Sequence, residues 1–155
     1  MKYYIGLDVG TSGMKAMLIN EDGIVRVVSR EYPLSFPNPG WSEQNPDDWF
    51  EAGISAIGEL VSDIDKSAVR AISFSGQMHG LVMLGSGDSV LRPAILWNDG
   101  RSENEVLYLN SEIGKDFLLD NTGNIAFAGF TAPKLLWVKN NEPEIFAKTE
   151  RICLP

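Results

Sequence analysis

The stretch Ile5-Gly6-Leu7-Asp8-Val9-Gly10-Thr11-Ser12-Gly13-Met14-Lys15-Ala16 is an apolar strand that breaks into a Gly/Thr/Ser turn and resumes as a second apolar run. A chain that opens this way folds back on itself within a few residues, as a β-hairpin. Glycines at 10 and 13 permit positive φ and close backbone approach, so successive amide N–H groups can point at phosphate oxygens. Thr11 and Ser12 add hydroxyl donors. Asp8 closes a strand that reads as buried, where a carboxylate is costly unless it is hydrogen-bonded or holds a cation such as Mg²⁺ through water. A second reading stays open: an ordinary hairpin in which Gly and Ser satisfy turn geometry and Asp8 accepts backbone N–H bonds. Neither G-x-x-x-x-G-K-[ST] nor G-x-G-x-x-G follows the strand, which disfavours the P-loop and dinucleotide-binding folds.

With 155 residues, 44% of them apolar and 22% charged, the chain can bury a sizeable core, and its length favours one domain. A net charge of −8 opposes nonspecific attraction to nucleic acid or anionic lipid, so any phosphate site must be local. Cys153 is the single cysteine, which excludes an internal disulfide, and with one histidine it cannot build a Cys/His zinc site. No apolar run approaches the roughly 18 residues of a membrane span. These features fit a reducing cytoplasm.

Residues 3–9, 15–19 and 24–32 read as three strands of an antiparallel meander, with Asn20-Glu21-Asp22-Gly23 as the turn between the last two. Residues 33–46 hold prolines at 33, 37, 39 and 46 and read as an extended surface loop. From 46 to about 64, Trp49, Phe50, Ile54, Ile57, Leu60 and Val61 follow helical spacing, so this face is expected to pack on the sheet. Residues 69–74 read as a further strand, and runs at 80–84 and 90–91 flank Gly85-Ser86-Gly87-Asp88 as a hairpin. Helices are expected over 102–110, 116–119 and 131–140, the last with Pro133 in its first turn, and a further turn over 142–146. Arg151-Ile152-Cys153-Leu154 begins a strand, and because the chain stops at Pro155 it is expected to be a fragment.

Three more segments place polar groups beside tryptophan or glycine: residues 40–46, 76–80 and 93–101. Such mixtures suit sugar recognition, where an aromatic face covers C–H surface and amides, carboxylates or imidazole bond hydroxyls. The alternative is that Trp41 and Trp97 are packing residues, Asp99 caps the next helix and His79 is a satisfied turn histidine.

The motifs D-x-G-T-S-G at 8–13, P-G-W-S-E-Q-N-P at 39–46, G-Q-M-H-G at 76–80, R-P-A-I-L-W-N-D-G-R at 92–101 and G-F-T-A-P-K-L-L-W-V at 129–138 together resemble the FGGY carbohydrate kinases, most closely their xylulose-phosphorylating members. The likeness runs in order along essentially the whole chain. It implies an α/β fold: an RNase H-like, actin-like ATPase N-terminal domain, with a mixed sheet and flanking helices. Residues 1–155 would form part of that domain, and the C-terminal domain would be absent. ATP and Mg²⁺ are the implied cofactors, and a sugar and ATP the implied partners. By the same resemblance Asp8 would position Mg²⁺ through water, and Gly10, Thr11, Ser12 and Gly13 would lie against the ATP phosphates. Gln77, Met78 and His79 would contact the sugar, and Trp97, Asn98, Asp99 and Arg101 would line or support its pocket.

Glycerol kinases, similar elsewhere, carry an Arg-Glu pair where this chain has Met78-His79, which favours a ketopentose. The expected reaction is ATP-dependent conversion of D-xylulose to D-xylulose 5-phosphate, the alternative being another sugar of the family: ribulose, gluconate, fuculose or glycerol. The aspartate that serves the family as general base lies downstream of Pro155, so the chain alone is expected to be inactive, with Asp99 and Glu43 as conceivable substitutes. Two readings from other classes are a sugar- or phosphate-binding module without turnover, and an actin-like chaperone or filament ATPase. Met78-His79 and the Trp97 segment oppose the last. Apolar surface exposed where the missing domain would pack is expected to favour a homodimer.

Overall fold

Alternating apolar residues in the opening run pair as the sequence predicts. The computed structural model describes all residues, Met1–Pro155. Its strands are β1 (Tyr3–Val9), β2 (Gly13–Asn20), β3 (Gly23–Glu31), β4 (Glu43–Gln44), β5 (Val69–Gly76), β6 (Val82–Leu84), β7 (Ala94–Ile95) and β8 (Arg151–Cys153). Its helices are α1 (Pro46–Leu60), α2 (Glu103–Tyr108), α3 (Lys115–Thr122), α4 (Thr131–Asn141) and α5 (Pro143–Lys148). Where length argues for one domain, the chain forms two compact units. The first comprises Met1–Leu34 with Pro46–Gln77, and the second Ser35–Asn45 with Met78–Pro155.

The first unit is a four-stranded sheet in the order β3-β2-β1-β5, with the meander antiparallel and β1 parallel to β5. This is the mixed sheet that the resemblance implies. Register sets Ile5 opposite Leu18, Leu7 opposite Ala16, and Ala16 opposite Val28, so one face carries a buried apolar set. Helix α1 covers that face, but not with the predicted stripe. Trp49, Leu60 and Val61 are buried and Ile57 is half-buried, whereas Phe50 and Ile54 are 70% and 57% exposed. The contact runs instead through Ala52, Gly53 and Ala56, whose small side chains admit close approach; a Cβ on Gly53 would sit 3.5 Å from the Met14 methyl. Arg26 and Arg30, on the same face of β3, reach α1 and the turn after it: Arg26 donates to the Glu59 carbonyl at 2.9 Å and to Asp63 at 2.7 Å, and Arg30 donates to Ser55 and Glu59. Ile72 and Phe74 share the face through their register with Ile5 and Leu7, yet they stay 43% and 71% exposed because α1 lies over the other three strands.

In the second unit the proline-rich stretch departs from its expected character. Ser42, Glu43 and Gln44 are buried, and β4 pairs antiparallel with β7. The prolines at 37 and 39 lie before this ladder, so they remove none of its donors. Strand β6 pairs with β8, and the hairpin after β6 turns through Gly87 at φ 65°. Leu81, Met83, Ile95 and Val138 form the core, with Leu135, Trp137, Ile145 and Phe146 packed around it. The segments expected as helices over 102–110 and 116–119 are α2 and α3, joined by a π-wound stretch, Leu109–Gly114.

The tightest backbone approach is at Gly13, where a Cβ would meet the Arg30 carbonyl oxygen at 2.6 Å, whereas Gly6 has nothing within 4 Å. Gly13→Ala is therefore expected to destabilise by about 1–3 kcal/mol, as overpacking against backbone does, while Gly6→Ala changes stability by less than about 0.5 kcal/mol. Urea unfolding of the two variants checks the contrast.

Candidate functional site

The hairpin connecting β1 to β2 is closed by Gly10 N–H donating to the Gly13 carbonyl at 3.1 Å. Neither glycine has positive φ. Both are needed for close approach: a Cβ on Gly10 would lie 2.9 Å from the Gly13 carbonyl oxygen, and Gly13 is pressed on Arg30 as above. Asp8 is exposed at the strand end, so the expectation of a buried carboxylate gives way to a solvated one. Its cross-strand neighbours are Lys15 on β2 and Ser75 on β5. A cleft of about 570 Å³ is lined by Asp8, Ser12, Gly13, Lys15, Arg30 and Glu31 among others.

Two side chains hold the back of this turn. Tyr32 donates to the Gly10 carbonyl at 2.6 Å, and burial, then the negative charge of Asp8, pushes its phenol up to about 12. Gln77 donates to the same carbonyl at 3.4 Å and accepts from the Thr11 hydroxyl at 3.3 Å. Gln77 thus braces the β1–β2 turn of the first unit; the sequence expectation for it is a sugar contact. The motif at 76–80 divides here, since Met78 and His79 belong to the second unit.

In the second unit Met78 is 67% exposed and Trp97 47% exposed, and Asn98 is exposed beside Trp97. His79 adopts a left-handed backbone, φ 61°, and its ring stacks on Phe130 with centroids 4.4 Å apart. Its carbonyl accepts from Lys134 Nζ at 2.9 Å, and Lys134 also donates to the Gly129 carbonyl at 2.5 Å. Lys134 is fully buried, and that burial lowers it to about 8, with Asp99 raising it and Arg101 lowering it further.

The side chains of Asp99 and Arg101, expected to line or support the pocket, are both 0% exposed. Asp99 Oδ2 accepts from Ser42 N–H at 2.6 Å and from Arg101 at 2.7 Å, and Oδ1 accepts from Arg101 Nε at 2.9 Å. Arg101 also pairs with Glu43 at 2.7 Å and lies over Trp41, 3.8 Å from the ring centroid. Trp41 meets Trp137 edge-on at 5.2 Å. Asp99 does not cap α2, whose N-cap residue is Ser102. Glu43 is bound to Arg92 at 2.5 Å as well, and burial lowers Arg92 despite Glu142 and Glu43. With both carboxylates committed to guanidinium groups, neither Asp99 nor Glu43 can act as the substitute base. Sequence reasoning missed Lys134, Arg92, Tyr32 and Phe130; the signal for the first was one cation inside the apolar run P-K-L-L-W-V.

The FGGY family of carbohydrate kinases, N-terminal domain, matches residues 3–155. The xylulose kinase of Bacillus subtilis is 48% identical over 158 residues, covering 100% of this chain and 32% of the relative. A solved xylulose kinase from Brucella ovis, also 48% identical, superposes with a TM-score of 0.91 over 99% of this chain and 32% of its own. A gluconate kinase from Lactobacillus acidophilus is 34% identical, with a TM-score of 0.90 over 98% of this chain and 31% of its own. The chain therefore spans about a third of the length of these relatives. Its fold is the actin-like ATPase fold of their N-terminal domains.

Asp99→Ala leaves the Arg101 guanidinium buried without its main partner and is expected to cost about 3–5 kcal/mol in urea unfolding. Lys134 gives a pH signature. Its folded value, about 8, lies below the unfolded one near 10.5, so between those values the unfolded chain binds more protons and stability rises with pH. The difference between wild type and Lys134→Met, measured by urea unfolding from pH 7 to 10, should grow in favour of wild type by up to about 3 kcal/mol.

Proposed function

We propose, for a chain that belongs to the FGGY family of carbohydrate kinases, that the protein transfers the γ-phosphoryl group of ATP to the C5 hydroxyl of a ketopentose, D-xylulose first. The observation that carries this is the pair Met78-His79, one side chain exposed and the other locked by stacking, in a chain 48% identical to xylulose kinases. Trp97 and Asn98 add an exposed aromatic face and an amide for the sugar's C–H surface and hydroxyls.

On this reading Gly10, Thr11, Ser12 and Gly13 hold the ATP phosphates, and Gln77 and Tyr32 keep their turn in shape. The two glycines keep side chains out of a tight turn, which supports a close backbone approach by a phosphate, and the exposed Ser12 offers it a hydroxyl. No cluster of three or more His, Cys, Asp or Glu exists that could cage a metal. An exposed lone carboxylate at Asp8 fits Mg²⁺ held through water, since that ion keeps several waters and binds one or two carboxylates with substrate phosphates. Bound there, Mg²⁺ would neutralise charge on the phosphoryl group.

The general base and the second domain belong, on the same reading, to the further two-thirds of length that the relatives have, because the carboxylates nearest the sugar segment are spent in ion pairs. Asp99 and Arg101 then support the pocket from behind. A reducing cytoplasm and, for this chain without the second domain, a homodimer through exposed Ile72 and Phe74 complete the proposal. Gluconate is the second substrate to try, since a gluconate kinase shares the fold at 34% identity.

The test is ADP release by the full-length protein with D-xylulose, D-ribulose, L-fuculose, glycerol and D-gluconate. D-Xylulose is expected to give the highest kcat/KM, and Asp8→Ala to lower it by about a hundredfold or more. Turnover with none of these sugars would overturn the kinase reading; a preference for gluconate would overturn the substrate alone.

A further inference from the structure

We propose that Lys134 is a positioning residue for the Met78–His79 surface, its buried ammonium tying the His79 and Gly129 carbonyls together so that the imidazole stays against Phe130. Four observations converge on it. His79 holds a left-handed backbone at φ 61°, which costs a non-glycine residue free energy and persists only where its surroundings fix it. The carbonyl of that same residue accepts from Lys134, and the second carbonyl belongs to Gly129, the residue before Phe130. The peptide carrying the ring and the peptide carrying the stacking partner therefore hang from one cation. Gly129 in turn is packed so tightly that a Cβ there would lie 2.7 Å from the Trp97 carbonyl oxygen, which brings the Trp97 segment into the same arrangement.

Packing alone does not explain a lysine here. A methionine or leucine would fill the volume without the desolvation that a buried ammonium carries. What the ammonium adds is charge-assisted hydrogen bonding to two carbonyls on separate segments, stronger and more directional than neutral contacts. Around it stand Asp99, which favours its charge, and Arg101, which opposes it. Asp99 is already shared between Arg101 and the Ser42 amide, so the ammonium is left to the carbonyls. The functional consequence rests on the reading above, in which Met78 and His79 face the sugar; the tether itself does not.

His79 is the sole histidine, so its imidazole Hε1 gives a single proton NMR signal. In wild type the signal should lie upfield because of the Phe130 ring. In Lys134→Met, with amide dispersion intact, it should move downfield toward its unstacked position. Followed from about pH 7 to about pH 9.5, the wild-type signal should show a step near 8 that Lys134→Met lacks. An unmoved signal in a folded Lys134→Met overturns the proposal. Should that variant fail to fold, a wild-type signal flat over the whole range from about pH 7 to about pH 9.5 overturns it instead. In the full-length protein, Lys134→Met should raise KM for D-xylulose about tenfold while leaving KM for ATP unchanged; equal changes in both would overturn the positioning role. Absence of any sugar-dependent turnover would remove the kinase reading, and the NMR arms would still decide the tether.

Discussion

The buried pair of Asp99 and Arg101 is the constraint on which the second unit depends. A guanidinium taken fully out of water is tolerable only when carboxylates and aromatic faces replace its hydration, and Arg101 has all of these: Asp99, Glu43, Trp41 and Trp137. Satisfying it fixes the segment at 41–44 against the segment at 97–101, since Asp99 also takes the Ser42 amide and Glu43 begins β4. The exposed residues Trp97 and Asn98 sit immediately before Asp99 in sequence. Their positions follow from an ion pair that they do not join.

The same arrangement shows how far a sequence could be read. β1 and the meander were legible because strict alternation and a turn sequence between apolar runs leave few options. Motif order was legible too, and it led to the family. Burial was not. Periodicity marked Phe50 and Ile54 as core, yet α1 packs through alanine and glycine, because close approach of helix to sheet favours small side chains over large ones. The 33–46 stretch looked solvated from its prolines, but two residues in it pair with β7. A propensity argument sees backbone conformation; it does not see that a distant arginine needs a carboxylate.

Polar residues divided along the same line. Asp8 read as buried and is exposed, and Asp99 and Arg101, expected to line or support a pocket, have side chains sealed from solvent. Short motifs name the residues that matter to a site without saying whether they touch it or hold it. Gln77 illustrates this, since within one five-residue motif it braces the opening hairpin, while Met78 and His79, its neighbours, belong to another unit. Lys134 went unseen because a lysine in a helix is ordinarily a surface residue. Only its zero exposure and the two carbonyls reveal it.

The order in which the chain leaves the ribosome gives the division into units a meaning of its own. Residues of the first unit are complete once Gln77 has emerged, but they are interrupted by Ser35–Asn45, which belongs to the second. That insert carries Ser42 and Glu43, whose partners at 99 and 101 are synthesised more than fifty residues later. Until then it is a loop with buried-type groups and nothing to bury them, closed only when a long stretch of chain has been ordered. Neither unit is a contiguous piece of the gene, so neither can be cut out by truncation, and a nascent chain halted before Arg92 would hold Glu43 with neither of its guanidinium partners.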